Sequence, residues 1–323
     1  MRDEEARAAA GSSRQHPTPT GVVPLDEIPN GGLRPGELLV LGGPFGVGKT
    51  IWGLQLARNV VQADETASAV YICYEHDRSH LLARLLCLES AEMGMGADAL
   101  TLRDLAKLSI QDGDKVGIIS QLRRTGRNAA VVERLESYAQ RLVLVKASGD
   151  LSTLDQIRRW VQTAAGKQTG RTLVVIDYLQ KIPVRRAALQ SEMDSTTFLA
   201  QGLKEIAMSL GIHVAAIAAS DRLGLKAARM RLSDLRGSSA VQYEADVGLM
   251  LNNKFAIVSR EHLVYNSTQA ESMRNWAVLS VEKNRAGRSA IDMEFALDAA
   301  HFRIVPQGNF VRERLVDEKV TMA

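Results

Sequence analysis

Short apolar runs alternate with amphipathic stretches along most of the chain. The runs ELLVLGG, SAVYICYE, TLVVIDYL, GIHVAAIAAS, DVGLMLN and WAVLSVEKN are rich in Val, Ile and Leu and read as strands. Between them, residues 50–62, 78–90, 152–165 and 195–210 read as helices. In the last, Phe198, Leu199, Leu203, Ile206 and Leu210 form one stripe, Asp194 is placed to cap the start and Gly211 to end it. This order predicts an α/β fold, a mostly parallel twisted sheet flanked by helices. Two regions fit the alternation less well. Residues 91–150 are polar and helix-favouring, with one short strand at RLVLVKA, and residues 253–275 look like an excursion between two strands. After Ala286, IDMEFAL and AHFRIV resemble antiparallel strands at a sheet edge. No internal repeat is present.

Composition narrows this picture only slightly. The chain has 323 residues, 46% hydrophobic and 24% charged, enough for one large domain with appendages. Its net charge of +3 neither demands nor excludes a polyanion, so any such binding must come from a local patch. Cys73 and Cys87 lie in apolar segments without metal-ligand spacing and are expected to be reduced, buried thiols of a cytoplasmic protein. No apolar run long enough for a membrane span or a signal peptide occurs. Residues 1–20, with GSSRQHPTPTG, read as a flexible tail or linker, 21–308 as the domain and 309–323 as a polar tail.

The chemistry is concentrated in one loop. GGPFGVGKT at 42–50 contains Gly43-x4-Gly48-Lys49-Thr50 between a strand and a helix, the arrangement that cradles a nucleotide's phosphates. Its glycines let backbone N–H groups curve around the phosphates, Lys49 reaches the β and γ oxygens, and the Thr50 hydroxyl can bind Mg²⁺. Asp177 ends the apolar run Leu173–Ile176 and supplies the metal-side carboxylate such a loop requires. Glu75, at the tip of Val70–Tyr74, should emerge at the same sheet edge and reach a water near the γ-phosphate. His76 and His80 are spaced i, i+4, but no third metal ligand is apparent, so they are read as surface residues.

From about Gly21 to Val305 this arrangement resembles the RecA-like P-loop ATPase core of the DnaB-type replicative helicases. The resemblance is carried by Leu25-Asp26-Glu27-Ile28 and Gly31–Glu37 ahead of the loop, Tyr74-Glu75, Leu81-Leu82-Ala83-Arg84, and Asp177-Tyr178-Leu179-Gln180. Further on come Leu203-Lys204, Ser233–Arg236, Glu244-Ala245-Asp246 and Lys283-Asn284-Arg285. It implies an ATP- and Mg²⁺-dependent helicase that forms a homo-oligomeric ring, expected to be hexameric, moves on single-stranded DNA and meets other replication proteins. Gly43, Gly46, Gly48, Lys49, Thr50, Ile51 and Arg84 would hold the nucleotide, Thr50 and Asp177 the metal. Glu75 would be the catalytic glutamate, with Lys49 completing the site. Lys283 and Arg285 would reach the neighbour's γ-phosphate, Arg285 as the arginine finger. The DNA-binding loops would follow Asp177–Gln180, with Arg185 and Arg186, and span Asp221–Arg236, with Lys226, Arg229, Arg231 and Arg236. That second stretch carries five basic residues against two acidic ones.

Three features depart from the family's pattern. Ala219 stands where a glutamine senses the γ-phosphate, only about 20 residues occupy the place of the N-terminal collar domain, and 253–275 is longer than a simple connection needs. Gly237-Ser238-Ser239 is closer to stand-alone ATPases of the RadA and KaiC kind. The alternative expectation is therefore a regulatory or assembly ATPase without unwinding activity.

Overall fold

Every residue from Leu38 to Gly42 is buried, which an extended segment achieves only when both faces are covered. That segment is the middle of the fold. The computed structural model describes residues 16–28, 31–111, 117–166, 170–185, 191–220, 227–258 and 271–316. The strands are β1 (Leu38–Gly42), β2 (Ser68–Cys73), β3 (Leu142–Lys146), β4 (Thr172–Asp177), β5 (His213–Ile217), β6 (Val247–Asn253), β7 (Trp276–Asn284), β8 (Ile291–Asp298), β9 (Arg303–Ile304) and β10 (Asn309–Phe310). The helices are α1 (Lys49–Ala63), α2 (Arg78–Glu92), α3 (Leu102–Gln111), α4 (Ile118–Arg123), α5 (Gly126–Ala139), α6 (Leu154–Ala165), α7 (Glu192–Leu210), α8 (Ser238–Glu244) and α9 (Lys254–Ile257).

Among the described residues these strands form one sheet in the order β10-β8-β7-β6-β1-β5-β4-β2-β3, with β9 paired to β8. From β6 to β3 neighbouring strands are parallel, and β7, β8 and β10 add an antiparallel edge, as the sequence pattern predicts. Alternate residues face opposite layers. Leu39, Leu41, Tyr71, Val175 and Ile217 join α1, α2 and α5 in one core, while Leu38, Val40, Ile72, Val174 and Ala216 join α6 and α7 in the other. Residues 91–150 supply α3 to α5 and the edge strand β3, which lengthens the crossover from β2 to β4. The expected excursion at 253–275 begins with α9, and its residues 259–270 lie outside the described residues.

Local chemistry adjusts several expected boundaries. Helix α7 is capped by Ser191, whose side chain accepts the Asp194 N–H at 3.0 Å, so Asp194 sits inside the first turn rather than at the cap. Its carboxylate there complements the helix dipole. Gly211, at φ 60°, ends the helix as expected. The stretch expected as a C-terminal tail begins with β10 on the sheet edge, and Leu315 bridges to Val258. Lys254 explains that attachment, because it is buried between Glu294 (2.6 Å) and Glu313 (2.8 Å). At the other end Thr18 is buried and pairs with Leu33, while residues 1–15 and 317–323 lie outside the described residues.

Helices α1 and α2 follow the phosphate loop and Glu75, so their mutual placement sets the site. Arg58 on α1 makes a two-pronged ion pair with Glu89 on α2, both bonds at 2.6 Å and both side chains buried. Tyr138 and Arg134 of α5 add bonds to the same carboxylate at 2.6 and 3.0 Å. Glu89→Ala would leave Arg58 buried without its counterion, and denaturant unfolding should show a loss of about 3–5 kcal/mol.

Candidate active site

Leaving β1, the chain turns through Gly43–Gly48 and enters α1. Gly43 is at φ 150°, and a side chain there would meet the Leu251 carbonyl oxygen at 2.2 Å, so only glycine fits between this loop and β6. Gly48, at φ 101°, starts α1 in the left-handed region, where no side chain caps the first turn. The free N–H groups of that turn are an anion site in themselves. Lys49 folds back over the loop, its amine donating to the Gly43 and Pro44 carbonyls at 2.7 Å each. Burial lowers its pKa to about 8, against the opposing pull of Asp177 and Glu75.

Asp177 is fully buried at the end of β4, and burial raises its pKa to about 6, although Tyr71 and Thr50 favour its charged form. The Tyr71 hydroxyl donates to Oδ2 at 2.8 Å, while Oδ1 has no hydrogen-bond partner. An unpaired buried carboxylate oxygen beside a threonine hydroxyl is a hard-oxygen donor set, and it fits Mg²⁺. Because the folded-state pKa is raised, the ionised carboxylate costs stability as pH rises through about 6, and a divalent cation would offset that cost. Glu75 is exposed just beyond β2, and the Tyr178 hydroxyl is bonded to it.

One cleft of about 240 Å³ collects Gly46, Gly48, Lys49, Thr50, Ile51, Glu75 and Arg84; Gly43 and Asp177 do not line it and are tied to it through Lys49, which bonds the Gly43 carbonyl and feels the Asp177 charge. A larger depression of about 580 Å³, between Thr18, Val60, Thr66 and Arg171, contains none of the phosphate-loop residues. Lys283 and Arg285 are elsewhere. Strand β7 runs antiparallel to β6, so its end lies beside Val247, at the ends of the parallel strands opposite the phosphate loop. The five residues of β1 separate those two ends by about 16 Å, beyond the length of an arginine side chain. Arg285 bonds there to Asp246 (3.2 Å) and to the Tyr243 carbonyl (2.6 Å), and Lys283 donates to the carbonyls of Gln242 and Tyr243.

Known proteins resemble this chain in sequence and in fold. The family model for the DnaB-like helicase C terminal domain matches residues 18–304. The chain belongs to that family. Its curated relatives include the replicative DNA helicase DnaB of Leifsonia xyli subsp. xyli, 26% identical over 240 residues, and that of Geobacillus stearothermophilus, 24% identical over 233 residues. These alignments cover 74% and 71% of this chain but 47% and 45% of the relatives, so the chain spans about half their length. Among solved structures, one ATPase domain has the same fold, with TM-score 0.72 at 18% identity over 94% of this chain and 95% of that one. A DnaB-like replicative helicase described with its primase interactions gives TM-score 0.70 at 19% identity, over 94% of this chain and 64% of that one.

Within this DnaB-like domain the expected DNA-contacting residues divide. Arg229 is corrected: it is buried at 5% exposure and bonded to Ser280 and Asp292, so it is an internal ion pair and does not face a ligand. Arg231 pairs with Glu282 at 3.2 Å and Arg236 with Glu192, while Arg185 is exposed and donates to the Asp150 carbonyl. Arg186 and Lys226 lie outside the described residues. His76 and His80 are half-buried and stack with ring centroids 4.8 Å apart, and His76 bonds Arg84 at 3.1 Å. Among the described residues no group of three metal-ligating side chains forms.

Four cleft residues were given no role by the sequence reading: Phe45, Tyr178, Phe302 and His76, which was read as a surface residue. Phe302 sits in the turn between β8 and β9, and its ring lies 4.9 Å from the Arg84 guanidinium. Nothing in its spacing signals that role. Ala219 offers no side-chain bond, but its N–H donates to the Gln180 side chain at 2.9 Å and its carbonyl accepts the Arg236 N–H at 3.0 Å.

The two shifted groups predict a pH window. Below about 6 Asp177 holds a proton that competes with a cation, and above about 8 Lys49 loses the charge that attracts phosphate. Titrating a fluorescent nucleotide with Mg²⁺ from acid to mildly alkaline pH should therefore give tightest binding between those values. Asp177→Asn should remove the acid limb and leave the alkaline one.

Proposed function

We propose that this domain hydrolyses ATP at the boundaries between copies in a ring, hexameric as is typical of the family, and uses the reaction to move along single-stranded DNA. The observation that carries the reading is that one chain holds a complete phosphate grip at one end of β1 and its basic pair at the other. Such a chain completes a site only by facing a second copy. Gly43, Gly46, Gly48, Lys49, Thr50 and Ile51 grip the triphosphate, and Arg84 with Phe302 offers a flat surface to the base. Thr50 and Asp177 hold Mg²⁺, which supplies charge neutralisation on the phosphate oxygens. Glu75 orients and deprotonates the attacking water, and Arg285 with Lys283 from the adjacent copy stabilises charge on the transferred phosphoryl group. Arg185, Arg231 and Arg236, each partly exposed though each has a protein partner, are described cations that would track the DNA backbone, together with Arg186 and Lys226. Other replication proteins, primase among them, are partners of the same reading.

A second reading, a RecA-like regulatory ATPase that does not unwind, is favoured by one observation: Ala219 cannot hydrogen-bond a γ-phosphate through its side chain. Strand displacement by the purified chain would eliminate it.

Glu75→Gln should lower ATP turnover about a hundredfold or more while leaving nucleotide binding intact. Arg285→Ala and Lys49→Ala chains should each be inactive, and mixing them should restore some turnover, since mixed rings contain boundaries with an intact grip and an intact finger. Stimulation of wild-type turnover by single-stranded DNA is required, and its absence would reject movement on DNA while sparing the hydrolysis.

A further inference from the structure

The two most exposed aromatic rings among the described residues lie at opposite ends of β1. Phe45 is 72% exposed in the phosphate loop and Tyr243 is 75% exposed near the end of α8. Neither is needed for the fold, because neither side chain belongs to a core cluster. A single exposed ring means little by itself; these two matter because each lies beside a group the shared site would use.

Their spacing from the catalytic groups matches. In one copy the Lys49 amine lies 5.9 Å from the centre of the Phe45 ring. At the other end the Tyr243 backbone is held by the basic pair itself, with its carbonyl 2.6 Å from Arg285 and 3.1 Å from Lys283. If Arg285 of one copy reaches phosphates beside Lys49 of the next, Tyr243, which neighbours Arg285 on the same surface, is brought toward the loop that carries Phe45. Lys283 and Arg285 stand at one of these ends and Glu75 at the other, so a nucleotide held at the loop would add negative charge facing the basic pair.

We propose that Tyr243 packs against Phe45 of the adjacent copy, so that the two rings form an aromatic contact that seats Arg285 in the neighbour's site. Tyr243 is a positioning residue in this scheme and touches no reacting atom. The proposal rests on the ring reading above. The contact is edge-to-face or offset, as aromatic pairs prefer, and it shields the open side of the phosphate loop from water.

Both native thiols, Cys73 and Cys87, are buried, so introduced cysteines report without background. Phe45→Cys and Tyr243→Cys chains, mixed with ATP analogue and Mg²⁺ and treated with a short bis-maleimide, should give cross-linked dimers that neither chain gives alone. In otherwise wild-type protein, Tyr243→Ala should raise the concentration at which rings form by about fivefold, Tyr243→Phe should not, and Tyr243→Ala should add nothing to Phe45→Ala. Light scattering and the Arg285→Ala with Lys49→Ala mixture are run alongside. Rings that form and complement, yet never cross-link and tolerate Tyr243→Ala, overturn the aromatic contact and leave the shared site standing. Chains that never assemble and never complement overturn both.

Discussion

Leu38 is bonded to Asp246 through both of its backbone groups: its N–H donates to the carboxylate at 2.8 Å and its carbonyl accepts the Asp246 N–H at 2.9 Å. That pair fixes the start of β1, and the end of β1 is the phosphate loop. Lys204 of α7 bonds the same carboxylate at 2.7 Å and the Gly36 carbonyl at 2.8 Å, which ties the helix layer to the point where the strand begins. Arg285 takes the remaining oxygen at 3.2 Å. One buried acid therefore sets the register of the central strand and holds Arg285 in place. The phosphate loop and the Lys283 and Arg285 pair are held apart by a strand whose backbone is paired on both sides, so neither end shifts without the other.

How far the sequence could be read follows from the range of each interaction. The strands and the phosphate loop were legible because their signals are local: apolar runs bury themselves, and Gly43 and Gly48 are required by backbone geometry at their own positions. Asp177 was legible for the same reason, since an acid that ends an apolar parallel strand must emerge where the loops meet. Arg229 was not, because its partner Asp292 is 63 residues away and no local pattern distinguishes a paired arginine from a free one. The buried Arg58 and Glu89 pair was missed in the same way, 31 residues apart on two helices. Phe302 and Tyr243 were illegible because their meaning depends on what stands opposite them across a cleft or a surface.

Ala219 shows how a gap in a motif can be misread as a gap in structure. The strand end that carries it is held in place without a side chain of its own. Gln180 reaches from the segment after β4, accepts the Ala219 N–H at 2.9 Å and donates to the Arg236 carbonyl at 3.2 Å. The Arg236 N–H returns to the Ala219 carbonyl at 3.0 Å. A carboxamide three residues beyond Asp177 thus ties the strand that Asp177 ends to the turn that leads into α8, through bonds from one side chain to the backbone of both. An alanine at 219 offers no side-chain bond, yet it leaves the mechanical connection between the strand tips whole.

The resting position of Arg285 is consistent with its use elsewhere. Its side chain is 48% exposed and its bond to Asp246 is long at 3.2 Å, so that ion pair contributes about 1 kcal/mol or less, and leaving also gives up the bond to the Tyr243 carbonyl at 2.6 Å. Release does not strand a buried charge, because Asp246 keeps Lys204 and the Leu38 N–H. Arg58 presents the opposite case: buried and bound to Glu89 in a two-pronged pair, it cannot leave cheaply. The two arginines are distinguished by solvent access and by what they would leave behind. On that physical ground, Arg58 is suited to hold two helices in register and Arg285 to move.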